Sequence, residues 1–175
     1  RLPERTVARR AVGHLHFGGG APTVLTPDEI RAVGARLWSA FERAPGAEVA
    51  VEIDPRDLAP DVIEAFAEIG VNRASIGLQD VNEEVQRAIN RIQPMDETAA
   101  VVEQLRAAGV GGINVDLMYG LPYQTVERVI ASVEAALTLA PDRLALFGYA
   151  HVPHMKRHQQ LIPEAALPDG PAPCP

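Results

Sequence analysis

Apolar residues recur at two spacings along this chain, every second residue in some stretches and every third or fourth in others. Alternation with a period of two is typical of strands that bury one face. Between residues 48 and 54, for example, Val49, Val51 and Ile53 share one face of an extended chain. The pattern predicts five strands, at Gly13–Phe17, Glu48–Ile53, Arg73–Leu78, Ile113–Leu117 and Arg143–Phe147.

Helices are predicted between these strands, with recognisable residues at their ends. Thr26–Glu29 has the form of a capping box with proline at the first helical position. Pro60 is expected to open a second helix, Asp96 and Thr125 to cap two later ones, and Asn82–Asn90 to form a shorter one. The positions predicted to face inward are Ile30, Val33, Leu37, Trp38 and Phe41; Val62, Ile63, Phe66 and Ile69; Val101, Val102 and Leu105; and Val126, Val129, Ile130, Val133 and Leu137.

Strands that alternate with helices predict a parallel sheet, wound either as a barrel or as an open doubly wound sheet. The strands favour the barrel, because each has one apolar and one polar face. In a doubly wound sheet both faces are covered and strands are apolar throughout. Five strands are too few to close an eight-stranded barrel. We therefore expect a partial (β/α) barrel with parallel strands and outer helices.

Composition narrows the class of protein. A net charge of −7 argues against nucleic-acid binding, and no apolar run is long enough to predict a membrane span. The sole cysteine is Cys174, so no disulfide within the chain is expected, and we predict a cytoplasmic monomer. The sequence is expected to be cut at both ends, and Arg1–Arg10 resembles the polar end of a helix that starts elsewhere. We expect an incomplete barrel domain over residues 1–162 and a proline-rich tail over residues 163–175.

The candidate site lies where the predicted strands end, because parallel α/β folds bind ligands at the carboxyl ends of their strands. These ends carry Gly18–Gly20, Glu52 and Asp54, Gln79 and Asp80, Asp116 and Tyr119, and Tyr149–His151. Other interpretations stay open. The glycines suit a plain turn as well as a phosphate cradle, and Glu52 and Asp116 could pair with buried arginines, for which Arg73 and Arg91 are the candidates.

The histidines do not predict a metal site. His14 and His16 share one face of a strand, but no cysteine or acidic residue stands at ligand spacing beside them. His151, His154 and His158 are spaced for a helix, yet Pro153 lies among them. A solvated segment is the preferred interpretation there, and no metal ligand or catalytic residue is assigned.

Several runs together resemble, in order, the motifs of the oxygen-independent coproporphyrinogen III oxidases, which are radical S-adenosylmethionine (SAM) enzymes. The resemblance covers roughly residues 12–168. The runs that carry it are His16–Thr23, Val51–Arg56, Ser75–Asp80, Val85–Arg91, Asn114–Pro122 and Tyr149–Pro153.

The resemblance implies a partial barrel that holds a [4Fe–4S] cluster and S-adenosylmethionine. In this family a 5′-deoxyadenosyl radical removes hydrogen from propionate groups, and coproporphyrinogen III becomes protoporphyrinogen IX. The partners implied are the porphyrinogen, an electron donor and an electron acceptor. The family's S-adenosylmethionine contacts correspond to Gly19, Gly20, Ala21, Glu52, Gln79, Arg91, Asp116 and Ala150.

Two departures from the family pattern affect the expected activity. The family's CxxxCxxC cluster loop precedes anything present here, and a [4Fe–4S] cluster needs thiolate ligands. Ala21 also stands where the family commonly has threonine. We therefore expect the chain alone to be inactive and its parent protein to be the oxidase.

The alternatives are a haem chaperone of the same superfamily and a non-catalytic remnant. An aldolase is disfavoured because the sole lysine, Lys156, lies outside every predicted strand.

Overall fold

The computed structural model describes residues 10–56, 58–162 and 164–168, the side chain of residue 158 excepted. The strands are β1 (Ala11–Phe17), β2 (Glu42–Ile53), β3 (Arg73–Gln79), β4 (Gly112–Tyr119) and β5 (Arg143–Gly148). The helices are α1 (Pro27–Ala40), α2 (Pro60–Glu68), α3 (Glu83–Ala88), α4 (Met95–Ala107) and α5 (Val126–Thr138). Short 3-10 turns occupy Pro22–Val24, Arg157–Leu161 and Glu164–Ala166.

The five strands form one parallel sheet in the order β1-β2-β3-β4-β5. All five predicted strands are confirmed, and the largest difference is in β2, which begins at Glu42 instead of Glu48. Its early part pairs with β1 through Ala11 and Glu42, before the register shifts between Val12 and His14. The sequence pattern concealed this early part because Pro45 and Gly46 interrupt the alternation.

The helix ends follow the capping residues with one exception. The Thr26 side chain accepts a hydrogen bond from the Glu29 backbone N–H, and the Glu29 carboxylate accepts one in return from the Thr26 N–H, so the capping box is complete. Thr125 caps α5 as expected. The prediction that Asp96 caps α4 is wrong, because the helix begins at Met95 and Pro94 is its N-cap.

The core lies between the convex face of the sheet and its helices. Val51, Ile76 and Val115 are fully buried on that face, and Phe66 of α2 and Leu105 of α4 close over it. Truncating a fully buried phenylalanine such as Phe66 to alanine typically costs about 3–5 kcal/mol. The helices thus cover one face of the sheet, which confirms the partial barrel.

The apolar stripe predicted for α5 is only partly buried. Val129 and Val133 are half-buried, but Val126, Ile130 and Leu137 are exposed, contrary to the prediction. Val126 and Ile130 instead line a cavity between α5 and the end of the sheet, together with Leu146 of β5. Val33 of α1 and Phe41, which follows α1, are likewise more exposed than predicted, being 39% and 42% accessible. The apolar side chains of β5 are exposed as well: Leu144, Leu146 and Phe147.

Side chains at the amino ends of the strands clasp neighbouring backbones. The Asn72 side chain accepts a hydrogen bond from the Val49 N–H and donates one to the Ala47 C=O, both at 2.9 Å. Asp142 accepts one from the Ile113 N–H at 2.8 Å. These contacts fix the end of the sheet opposite to the predicted site.

Two sequence expectations fall largely outside the described residues. Arg1–Arg10 is described only at Arg10, and the predicted tail only at residues 164–168, where the Ala166 C=O accepts a hydrogen bond from the Tyr123 N–H at 2.7 Å. None of the described helices combines the length and apolar character needed to cross a membrane.

Replacing Gly34 of α1 with valine should destabilise the fold by about 1–3 kcal/mol through overpacking. A Cβ placed on Gly34 would lie 2.3 Å from Cγ2 of Ile69, far inside the contact distance of two carbon atoms. Ala35→Val is the matched control, because Ala35 is exposed on the same helix. Denaturant unfolding measures both variants, and equal losses of stability would contradict the prediction.

Candidate active site

The glycine run after β1 approaches a carboxylate of β2. A Cβ placed on Gly18 would lie 2.6 Å from Nε2 of His16 and 2.7 Å from Oε1 of Glu52, so no side chain fits there without displacing them. Gly19 has a φ of +82°, a backbone conformation that favours glycine, and its N–H donates to Oε2 of Glu52 at 3.2 Å. The turn and the carboxylate therefore form one unit.

Glu52 keeps its carboxylate at the solvent-accessible end of the strand. Nε2 of His16 lies 3.1 Å from its Oε1, and the Glu52 side chain is 45% exposed. The alternative that Glu52 pairs with Arg73 or Arg91 is therefore wrong. Arg73 instead donates to Glu48, at 3.1 Å. The strand stagger decides this, because Arg73 lies opposite Ala50 and reaches toward the amino end of β2.

Asp116 is held by a ladder of polar side chains across β3 and β4. Ser75 donates to its Oδ2 at 2.8 Å, and Asn114 donates to its Oδ1 at 2.7 Å. Asn114 also donates to Ser75 at 2.7 Å. The alternative that Asp116 pairs with a buried arginine is therefore wrong as well.

Arg91 enters the site from the loop after α3 and forms contacts with two strands. Its Nη1 donates to Oδ2 of Asp54 at 2.9 Å, and its Nη2 donates to the Gly77 C=O at 2.8 Å. Its Nε is buried without a hydrogen-bond partner among the described residues. Burial lowers the pKa of Arg91, and the charge of Asp54 partly opposes this shift.

Asp54 is the carboxylate on which two arginines converge. Arg56 donates to it through its backbone N–H, its Nε at 2.9 Å and its Nη2 at 2.6 Å, in addition to the bond from Arg91. Burial would raise the pKa of Asp54, but the hydrogen bonds from Arg56 and the charge of Arg91 outweigh it and lower that pKa to about 2. Asp54 therefore stays ionised and orients both guanidinium groups.

Gln79 reaches the site through an irregularity at the end of β3. The pairing with β4 shifts register between Gly77 and Gln79, and Gln79 has a φ of +67°, which is unusual for a residue with a side chain. Its Nε2 lies 2.9 Å from where a Cβ on Gly77 would be. The absence of a side chain at Gly77 thus leaves the space that Gln79 occupies.

These groups line a polar cleft of about 220 Å³ at the carboxyl ends of β2, β3 and β4. Its lining is Gly20, Ala21, Glu52, Ile53, Asp54, Ser75, Gly77, Gln79, Arg91 and Asp116. Most of the predicted site residues therefore come together, and Gly19 joins them through Glu52. Ser75 and Gly77 were not predicted as site residues, although their place on the polar face of β3 was the signal that could have identified them.

The predicted residues at the end of β5 lie elsewhere. Ala150 is not among the lining of the polar cleft, and its C=O accepts a hydrogen bond from the Gln159 side chain at 3.0 Å. Tyr149 and His151, together with Tyr119 at the end of β4, instead border a larger, mostly apolar cavity of about 850 Å³ beside α5. Burial raises the pKa of Tyr149 there.

Within the described part of the chain, no cluster of three or more His, Cys, Asp or Glu side chains could hold a metal ion. His16 is engaged with Glu52, and His151 lies 3.4 Å from Glu164 and 3.3 Å from the Tyr149 hydroxyl. Cys174 lies outside the described residues.

A family model described as the radical SAM superfamily matches residues 3–136 of this chain, well over half of its length. This chain belongs to the radical SAM superfamily. Proteins of this superfamily generally use S-adenosylmethionine and a [4Fe–4S] cluster. An archaeal Elp3 from Methanocaldococcus infernus, 14% identical over 79% of this chain and 37% of that chain, shares the fold of this radical SAM domain with a TM-score of 0.65.

Two similar proteins are named coproporphyrinogen III oxidases. The oxygen-independent coproporphyrinogen III oxidase of Bradyrhizobium diazoefficiens is 55% identical over 172 residues, 98% of this chain and 38% of that protein. The solved coproporphyrinogen III oxidase of Escherichia coli, a radical SAM enzyme, superposes with a TM-score of 0.86 at 40% identity and covers 92% of this chain and 37% of that one. The radical SAM chain thus spans little more than a third of these relatives.

Replacing Asp54 with asparagine should reduce stability more at neutral than at acid pH. The pKa of Asp54 is lowered from 3.8 to about 2, so its ionised form stabilises the fold above about pH 4. This contribution disappears as the pH falls through about 2, and partial exposure limits it to about 1 kcal/mol. We expect the unfolding free energies of the two proteins to converge as the pH falls.

The control for this prediction is Asp28→Asn. Asp28 contacts Arg31, but its side chain is 98% exposed. Denaturant unfolding at about pH 7 and about pH 2 compares the variants. A deficit of Asp54→Asn that stays the same at both pH values would contradict the role assigned to its carboxylate.

Proposed function

We propose that this chain is the S-adenosylmethionine-binding part of an oxygen-independent coproporphyrinogen III oxidase. The observation that carries the proposal is the 55% identity with an enzyme of that name along 98% of this chain. The polar cleft supports it independently, because its groups suit a small zwitterion. The proposed reaction of the whole protein is the oxidative decarboxylation of coproporphyrinogen III to protoporphyrinogen IX.

The residues of the cleft fit S-adenosylmethionine. Glu52 has a partly exposed carboxylate that can accept hydrogen bonds from an ammonium group. Arg91 has a buried Nε without a partner among the described residues, and a guanidinium suits a carboxylate. We further propose that Asp116 and Gln79 bind polar groups of the nucleoside and that Gly19, Gly20, Ala21 and Ala150 contribute backbone contacts.

The chemistry supplied by bound S-adenosylmethionine in such enzymes is hydrogen abstraction from a substrate carbon. Each conversion of a propionate to a vinyl group removes one hydrogen atom, one molecule of carbon dioxide and one electron, which is why an electron acceptor is needed. This chain's contribution is to bind and orient the cofactor, with Asp54 and Asp116 holding the neighbouring side chains in place.

The residues of this chain do not fit a [4Fe–4S] cluster. The sequence holds one cysteine, Cys174, and such a cluster needs several thiolate ligands. We propose that the ligands lie in sequence outside these 175 residues and that the chain alone does not cleave S-adenosylmethionine. The porphyrinogen, the electron partners, a monomeric state and a cytoplasmic location are parts of the same proposal.

A segment exchange tests the proposed function. We would replace the matching segment of the Escherichia coli oxidase with residues 12–168 of this chain and supply coproporphyrinogen III without oxygen. The hybrid should form protoporphyrinogen IX, because the recipient supplies the cluster ligands and the rest of the enzyme. A folded hybrid that carries its cluster yet forms no product would refute the proposal, and haem binding by that hybrid would favour a chaperone.

Glu52→Gln in the hybrid should reduce turnover at least about ten-fold, because an amide replaces the charge that attracts an ammonium group. Glu64→Gln is the matched control, since Glu64 lies exposed on α2, away from the cleft. Product formation at several S-adenosylmethionine concentrations measures the effect. Equal turnover of the two variants would contradict the assignment of Glu52.

A further inference from the structure

A buried hydrogen-bond network beside the cleft is not used by the proposed cofactor contacts. Asp80 directly follows β3, and it is fully buried at 0% exposure. Its Oδ1 accepts a hydrogen bond from the Asn82 N–H at 2.6 Å, and its Oδ2 accepts one from Nε2 of Gln124 at 2.5 Å. Because Gln124 follows β4, this bond joins the loops after two neighbouring strands.

The orientation of the Gln124 amide is fixed by two other hydrogen bonds. Its Oε1 accepts from the Leu121 N–H at 2.9 Å, and its Nε2 donates to the Met118 C=O at 2.8 Å. Rotating the amide would bring two donors together at Leu121 and two acceptors together at Met118. Gln124 can therefore present only a donor to Asp80, and the buried position requires an acceptor there.

The network lies next to the strained end of β3. Gln79, whose side chain lines the cleft, has the left-handed φ of +67° and immediately precedes Asp80. Such a conformation costs free energy unless its surroundings maintain it. The Asp80 C=O is also fixed, since it accepts a hydrogen bond from the buried Gln86 side chain at 2.8 Å. The residue that follows Gln79 is thus held through both its backbone and its side chain.

We infer that Asp80 and Gln124 are positioning residues that fix Gln79 on one side of the cleft relative to the β4 end on the other. The inference rests on the proposed binding of S-adenosylmethionine in that cleft. Neither residue lines the polar cleft, so both act through the loops that they join. The charge of Asp80 matters less than its two acceptor atoms, because both of its oxygens are occupied by donors.

The test uses a substitution and its compensation. Asp80→Asn keeps the size of the side chain but leaves one acceptor for two donors, so an amide would face the Gln124 amide. Adding Gln124→Glu supplies, in the protonated form that burial favours, an acceptor for the introduced amide, an acceptor for the Leu121 N–H and a donor for the Met118 C=O. We expect Asp80→Asn to weaken S-adenosylmethionine binding at least about ten-fold, and the double variant to recover to within about three-fold.

Two measurements on the full chain decide the outcome, calorimetric titration with S-adenosylmethionine and amide hydrogen exchange. Exchange should accelerate in Asp80→Asn at both residues 79–82 and residues 119–124, and the double variant should reverse both effects. Asp142→Asn is the control, because Asp142 makes a similar backbone contact at the opposite end of β4. It should leave the affinity unchanged even where it lowers stability.

The results separate the inference from the proposed function. The hybrid oxidase decides the proposed function; if the unmodified chain does not bind S-adenosylmethionine, hydrogen exchange alone decides whether the two loops are coupled. Unchanged affinity in Asp80→Asn, acceleration at residues 79–82 alone, or a double variant without recovery overturns the inference. If Asp80→Asn does not fold, a folded double variant that binds S-adenosylmethionine with recovered affinity supports the inference. A folded double variant without recovered affinity overturns the inference.

Discussion

Burial of the convex face of the parallel sheet against its helices is the interaction on which the rest of this structure depends. Val51, Ile76 and Val115 are excluded from water on that face. Because successive side chains of a strand point to opposite faces, packing these residues directs their neighbours to the concave side. Glu52, Ser75 and Asp116 therefore face a common space as a consequence of the core. The polar cleft then needs only the loops that bring Arg91 and the glycine run to its rim.

Much of the fold could be predicted because its signals are local. The capping residue Thr26 and the alternation in each strand act over a few residues, and the structure follows them. The start of β2 could not be predicted from alternation, because Pro45 and Gly46 interrupt the pattern, and pairing with β1 resumes only at Glu48. Pro94 and Asp96 both suit the first turn of a helix, and a local pattern does not choose between them. The exposure of Ile130 depends on which elements surround α5, which no helical stripe reveals.

The site could be predicted as a set of residues but not as a set of bonds. Its members lie at strand ends, and the order of the sheet brings those ends together whatever the side chains do. The pairing of Arg73 with Glu48, 25 residues apart, depends on the stagger of two strands. The contacts of Arg91 with Asp54 and Gly77, 37 and 14 residues away, depend on the path of the loop after α3. Ala150 shows the same limit from the other direction, since it follows a strand yet lies outside the cleft. The family resemblance contributed Arg91, which spacing alone had left as a structural arginine.

The clasps formed by Asn72 and Asp142 lie at one end of the sheet, and the cleft lies at the other. The strand registers at the clasped end therefore depend on residues that lie outside the cleft. Natural variation can remodel the rim around Ala21 without loosening the strand registers, which gives this architecture room to acquire new ligands. A protein engineer could use the same division by keeping the residues of the clasped end unchanged and redesigning the residues around the cleft.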